Sequence, residues 1–95
     1  MVTNATKLFR LGQTVATPAC LGKLHESKQS PNEFLFRHQR GDWGLVDEHD
    51  RQANEDALKN GARLMSVYRL ETGIKIWCIT EADRASTTLL LPSEY

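Results

Sequence analysis

The sequence lacks several features that would assign a function at once. It has no net charge, because 12 Lys and Arg residues balance 12 Asp and Glu residues. Proteins that hold nucleic acid by its phosphates usually carry an excess of basic side chains. Nucleic acid is therefore a partner that the charge does not favour. No apolar run reaches the roughly 18 residues that a membrane span needs, so we expect no membrane partner.

Cysteine and histidine are also scarce. Cys20 and Cys78 are far apart in the chain and form no Cys-x-x-Cys pair. Without a secretory signal pattern, we expect a cytoplasmic protein with two free thiols. The 3 histidines lie in separate predicted segments without converging Cys or His ligands. Because zinc needs three or four such ligands, and phosphate-loop and dinucleotide motifs are missing, we expect no metal and no cofactor.

The composition that remains is typical of one small globular domain. The chain has 95 residues, of which 40% are hydrophobic and 25% charged. We expect a single domain over residues 1–95, with a flexible start at residues 1–6. A neutral chain is poorly protected against self-association, so a homodimer is a further expectation.

Capping residues predict three short helices. Each helix begins after a side chain that accepts hydrogen bonds from first-turn amides, namely Thr17, Ser30 and Asp47. Proline follows the first two at the first helical position, where its missing N–H costs nothing. The second helix carries a predicted capping box, in which Ser30 accepts from the amide of Glu33. We expect the helices to end near residues 28, 40 and 60.

The rest of the chain alternates between apolar and polar residues, as strands do. Residues 63–70, 74–80 and 85–91 predict a C-terminal antiparallel meander, and residues 13–16 predict one further strand. Trp77 lies within an apolar strand and is expected in the core. The expected fold is therefore α+β, with a three- or four-stranded antiparallel sheet and three short helices on one face.

Residues 37–44, with the sequence RHQRGDWG, form the most concentrated polar segment, which we call the first cluster. Tryptophan and arginine are frequent anchors of protein interfaces, and flanking glycines allow close approach. We therefore predict a binding surface formed by Arg37, His38, Arg40, Asp42 and Trp43. A structural alternative is that Trp43 folds back as a lid on the core.

Residues 80–84, with the sequence TEADR, form a second cluster near the other end of the chain. A catalytic hypothesis takes His38, beside the carboxylate of Asp42, as general base, with Glu81 or Asp83 as the second acid–base group. The arginines of the two clusters can hold a phosphate or a developing oxyanion, namely Arg37, Arg40 and Arg84. This set would suit a metal-independent ribonuclease. The structural alternative is that His38 is half-buried and that an arginine of the first cluster pairs with an acid of the second.

Both clusters resemble a known family. The segments 37–44, 50–55, 79–84 and 87–95 are similar to small bacterial proteins carried on plasmids and other mobile elements. The resemblance covers residues 9–95, and its motifs are RHQRGDWG and ITEADR. Some members are called type I restriction enzyme subunit M, but a DNA methyltransferase needs a Rossmann-like domain with a Gly-rich cofactor turn. The resemblance thus implies a mobile-element setting and no reaction.

Two functions are expected from the sequence. The first is a non-enzymatic protein that binds a host protein through the first cluster and inhibits a restriction or CRISPR-type defence complex. The second is a small ribonuclease-type toxin. The zero net charge favours the first, because a nuclease of this size usually carries a basic groove.

Overall fold

The computed structural model describes residues 6–95, and it confirms the α+β fold. The prediction of a flexible segment at residues 1–6 falls mostly on residues 1–5, which lie outside the described residues. The elements in chain order are β1 (Gln13–Ala16), α1 (Pro18–Ser27), α2 (Pro31–Gln39), α3 (Glu48–Asn60), β2 (Leu64–Arg69), β3 (Lys75–Thr80), β4 (Ser86–Leu90) and a final 3₁₀ turn (Pro92–Glu94).

The helices begin where their capping residues predict. Thr17 accepts a hydrogen bond from the amide of Cys20 at 3.1 Å, and Asp47 accepts one from the amide of Asp50 at 2.8 Å. The capping box of α2 was predicted with the wrong partner. Ser30 accepts from the amide of Asn32 at 3.2 Å instead. A serine in the extended conformation can reach either of the free first-turn amides, so the helix still begins there.

The four strands form one sheet in the order β1-β4-β3-β2. Strands β2, β3 and β4 are antiparallel neighbours, which confirms the predicted meander. The prediction of a wholly antiparallel sheet is wrong at one pair, because β1 runs parallel to β4. Strand β1 joins the sheet at the far end of the chain, after three helices and two strands have intervened. Local alternation carries no information about the direction of such a distant pairing.

Helices α1 and α2 cover one face of the sheet. The main core joins residues of these helices to inward-facing strand residues, namely Cys20, Leu24, Phe34, Leu35, Tyr68, Leu70, Ile76, Cys78 and Leu89. Both cysteines are free and buried, as predicted. Burial, with a smaller contribution from the charge of Glu94, raises the pKa of the Cys20 thiol to about 11, so the thiol stays protonated at neutral pH.

A smaller core lies where α3 meets β2, formed by Trp43, Ala57 and Leu64. The opposite face of the sheet includes Trp77, whose predicted place in the core is only partly right. The ring of Trp77 is half-buried and lies 5.2 Å from the ring of Tyr95, centroid to centroid. Over residues 6–95, no helix combines the length and the apolar character needed to cross a membrane.

Candidate functional site: the two polar clusters

His38 is completely buried on the side of α2 that faces the sheet. Helix α2 presents it on the same side as Phe34, one helical turn earlier, and this side faces the sheet. The rings of Phe9 and Trp43 pack edge-on against the imidazole, with centroid distances of 5.2 and 5.8 Å. His38 is therefore separated from solvent by aromatic rings.

Both ring nitrogens of His38 are bonded to buried hydroxyl groups. Nδ1 lies 2.5 Å from Oγ of Ser66, and Nε2 lies 2.9 Å from Oγ1 of Thr80. The Thr80 hydroxyl lies 2.7 Å from that of Thr87, which in turn donates to the carbonyl of Leu11 at 2.7 Å. These three strand residues, like His38, have no solvent exposure.

The hydrogen bond from Thr87 to the carbonyl of Leu11 fixes the direction of the other hydrogen bonds in this chain of contacts. Because Thr87 donates to a carbonyl, its oxygen must accept from Thr80, and Thr80 must then accept from His38. The Nε2 atom therefore carries the proton, and Nδ1 accepts from Ser66. A neutral imidazole satisfies every polar group in this chain of contacts, whereas a proton on Nδ1 would require the Ser66 hydroxyl to turn its hydrogen away and accept instead.

The electrostatic surroundings agree with a neutral imidazole. Burial, with a smaller contribution from the charge of Arg84, lowers the pKa of His38 to about 4. Within residues 6–95, no hydrogen bond or ion pair joins His38 to Glu81, Asp83 or Asp42. The structure thus does not bring together the histidine and carboxylates of the catalytic hypothesis.

Trp43, a predicted member of the binding surface, lies inside the protein with 4% of its surface exposed. Its indole N–H donates to the carboxylate of Glu55 at 3.0 Å, and its ring stacks on that of Phe9 at 6.2 Å. This is the arrangement of the structural alternative, a lid on the core. The following Gly44 brings the loop against the chain's own strand β2, where it forms a bridge with Val67.

The remaining members of the first cluster reach the surface. Arg37 donates to both carboxylate oxygens of Asp42, at 2.7 and 3.4 Å, and its guanidinium lies 4.5 Å from the centroid of the Tyr68 ring. The hydrogen bond that Arg37 donates to Asp42 raises the pKa of Arg37. Partial burial alone would raise the pKa of Asp42, but the bond and charge of Arg37 lower it below its usual value. The guanidinium of Arg40 lies 3.3 Å above the Phe36 ring.

These groups line a shallow depression of about 310 Å³. We call it the α2 surface, formed by Phe36, Arg37, Arg40, Gly41 and Asp42. Phe36, which the sequence did not single out, is its most exposed apolar residue, with 54% of its surface accessible. Its position in α2 predicts this exposure, because it lies on a different side of the helix from the buried Phe34 and Leu35.

The residues of the second cluster make structural contacts at the end of α3 and in the turn before β4. The guanidinium of Arg84 donates to the carbonyls of Ala57 and Ala62 at 3.1 and 2.7 Å, which caps the end of α3. Asp83 accepts from the amide of Ala85 at 2.9 Å, as turn aspartates commonly do. Glu81 is exposed in the same turn. The predicted pairing of an arginine of the first cluster with these acids is wrong, because Arg37 pairs with Asp42.

Three ligand atoms of Asp47, His49 and Asp50 lie within 4.8 Å of one another at the start of α3. They are the described residues best placed to hold a cation. However, the carboxylate of Asp47 already accepts the amide of Asp50 as the helix cap. Acidic groups in a first turn stabilise a helix through its dipole, which accounts for this composition without an ion.

Comparisons with known proteins add no family. The chain has no match among protein-family models, curated proteins or solved structures. The resemblance to plasmid-borne proteins therefore stays a prediction from the sequence motifs.

Asn54 is a structural residue that sequence reasoning missed. Ala53 is exposed although it is apolar, whereas Asn54 is only 4% exposed. Its amide donates to the carbonyl of Met65 at 2.8 Å and accepts from the Met65 amide at 3.0 Å. Only a partner strand edge explains a buried asparagine here, and the sequence does not show that edge.

Proposed function

We propose that this protein is a non-enzymatic, cytoplasmic binding protein of a mobile element, and that it acts on a host defence complex of the restriction or CRISPR type. The observation that carries the binding function is the α2 surface, where the exposed Phe36 lies beneath the guanidinium of Arg40, which forms no salt bridge within residues 6–95. The genomic setting and the class of target rest on the sequence motifs alone.

The α2 surface has the properties of an interface anchor. A guanidinium stacked on an aromatic ring is weakly hydrated, so it costs little to remove from water when a partner binds. Within residues 6–95, Arg40 forms no salt bridge with a carboxylate, so its charge is available to a partner. The orientation of the guanidinium is fixed, because its Nη1 donates to the carbonyl of Phe36 at 3.1 Å.

Neighbouring contacts hold this surface in one conformation. Asp42 fixes Arg37 by two hydrogen bonds, and the Tyr68 hydroxyl donates to the carbonyl of Asp42 at 2.6 Å. Side chains that are already ordered lose little conformational entropy on binding. The buried His38 and Trp43 support the surface from below, and they contribute to binding through its shape.

The ribonuclease alternative requires His38 to exchange a proton with a substrate. His38 is instead neutral, enclosed by two aromatic rings and bonded at both nitrogens. Arg84, the proposed phosphate ligand, already donates to four backbone carbonyls. These contacts favour the binding function over the nuclease.

The test is the plating efficiency of unmodified phage on hosts that carry a type I restriction or a CRISPR-type system. Production of the wild type should raise the efficiency, and Arg40→Glu should abolish the rise. Lys59→Glu makes the same change of charge on the exposed side of α3 and should behave as the wild type.

Thermal unfolding should first show that both variants are folded. If the wild type protects no phage on any of these hosts, the proposed target is wrong. If it instead arrests growth and degrades cellular RNA, and His38→Gln does neither while still folding, the protein is a nuclease.

A further inference from the structure

The two outer strands of the sheet, β1 and β2, differ in whether the chain itself hydrogen-bonds their outward backbone groups. On β2, the backbone of Met65 is bonded by the side chain of Asn54. The backbone of Val67 donates to the carbonyl of Trp43 at 3.1 Å and accepts from the amide of Leu45 at 2.7 Å. This edge is thus largely closed by the chain itself, as expected of proteins that avoid edge-to-edge association.

The outer edge of β1 is open. The amides of Gln13 and Thr17 donate inward, to the carbonyls of Ala85 and Leu89 at 2.9 and 3.0 Å. Because backbone groups alternate in direction along a strand, those of Thr14 and Ala16 point away from β4. In the part of the chain that the structure describes, no strand pairs with this side of β1. The edge therefore presents two amides and two carbonyls to a further strand.

A continuous groove runs along this open edge. Three adjoining depressions of about 240, 350 and 710 Å³ follow β1 and the segment before it. The first two share Thr14 and Leu35, and the last two share Lys7 and Leu11. Helix α2 forms the opposite wall. Its nine residues extend about 14 Å, the length of about four residues of an extended chain.

The groove is apolar at one end and basic at the other. Val15 and Leu21 lie at the apolar end, each with 45% of its surface exposed. Lys7, Arg10 and Arg40 line the basic end, and no carboxylate of residues 6–95 lines any of the three depressions. Although the whole chain is neutral, this surface is locally positive, so it attracts negative charge.

We propose that this edge groove binds an extended, acidic peptide segment of the partner protein, which adds to β1 as a fifth strand. The inference rests on the proposed function, since it names the chemistry of the partner that a binding protein would take. Main-chain hydrogen bonds to Thr14 and Ala16 provide affinity. Alternate side chains enter the groove, where an apolar side chain suits Leu21 and a carboxylate suits Arg40.

The charge distribution also separates this occupant from two others. A second copy of the chain would bring β1 against β1, and among residues 6–95 its groove lining has no carboxylate to pair with Lys7, Arg10 and Arg40. A nucleic acid would satisfy the cations but would not use the exposed amides and carbonyls of β1. An acidic peptide strand would pair its carboxylates with the cations and its backbone with the exposed amides and carbonyls of β1.

Amide hydrogen exchange measured by NMR tests the inference directly. The probe is a short synthetic peptide whose alternate, groove-facing positions hold valine in one half and glutamate in the other, with threonine at the positions between, and its control has lysine in place of glutamate. In the free protein, the amides of Thr14 and Ala16 should exchange fast, and that of Val15 slowly. Saturation with the glutamate peptide should slow Thr14 and Ala16 by at least about tenfold, while the lysine peptide should have no effect.

A proline substitution isolates the backbone contact. Because the amide of Thr14 points outward, Thr14→Pro removes a donor from the edge and leaves the bonds to β4 intact. This variant should fold and should bind the glutamate peptide about tenfold more weakly or worse. Thr14→Val keeps the amide and should bind as the wild type, while Arg40→Glu should lose the preference for glutamate over lysine.

Several results would overturn the inference. They are failure of the wild type to bind the glutamate peptide, unchanged exchange at Thr14 and Ala16, equal binding of the lysine peptide, or tighter binding of an oligothymidylate. A wild-type dimer that Thr14→Pro converts to a monomer would assign the edge to a second copy. None of these results depends on phage plating, so the binding function can stand or fail separately.

Discussion

Nε2 of His38 lies 2.9 Å from the hydroxyl of Thr80, which itself lies 2.7 Å from the hydroxyl of Thr87. This relationship turns the most reactive-looking residue of the sequence into a link between a helix and the two inner strands. A buried polar group that is fully satisfied specifies one packing arrangement, because any shift would leave a donor or acceptor unpaired. The histidine thus sets the register between α2 and the sheet.

The His38 environment predicts a loss of stability in mild acid. The imidazole has a pKa of about 4 in the folded protein and about 6.5 when unfolded, so below pH 6.5 the unfolded state binds more protons. Stability is therefore complete above pH 6.5 and declines until the pH reaches the folded pKa. Between pH 7 and 5, urea unfolding should show a fall of about 2 kcal/mol from this group. His38→Gln should remove that component, and an identical fall in the variant would show that other groups cause it.

Arg84 should affect the free energy of unfolding in two independent ways, through the hydrogen bonds of its side chain and through the conformation of its backbone. Its φ is +60°, and its guanidinium caps α3. Both Arg84→Ala and Arg84→Gly lose the capping bonds, which should cost about 2 kcal/mol. Glycine adopts positive φ without strain, so Arg84→Gly should be about 1 kcal/mol more stable than Arg84→Ala. Thermal unfolding compares the two, and equal stabilities would contradict the role of the backbone.

Gly44 and Gly61 form a matched pair with nearly the same φ, +73° and +76°. An added Cβ at Gly61 meets none of the described residues within 4 Å, whereas at Gly44 it would lie 2.0 Å from the carbonyl oxygen of Val67. Gly61→Ala should therefore cost only the backbone strain, about 1 kcal/mol. Gly44→Ala should cost a further 1–3 kcal/mol or so, because the loop must move off β2. Chemical denaturation of both variants measures the difference, which should vanish if the bridge to Val67 does not form.

Local signals predicted most of the secondary structure. The caps at Thr17 and Asp47 placed two helix starts correctly, because a capping side chain and the amide that it accepts lie within one turn. The alternation of residues 63–70 likewise predicted β2, whose side chains are alternately buried and partly exposed, since side chains alternate with a period of two.

The candidate site was less predictable, because its residues meet only in the folded protein. The bonds of His38 cross 28 and 42 residues of sequence, and those of Arg84 to α3 cross 27. No local pattern distinguishes a histidine that faces hydroxyl groups from one that faces a carboxylate. The same limit hid Asn54, whose partner is a strand edge rather than a neighbour in sequence.

The sequence by itself determined where the helices and strands lie and that one sheet is packed against helices. These properties depend on capping, turn residues and hydrophobic period, all of which act over a few residues. Only the tertiary structure decided that β1 runs parallel to β4, that Trp43 and His38 are interior, and that β1 has an open edge beside a basic groove. Each of these depends on which distant segments share space, and the free energy of such contacts belongs to the pair of segments.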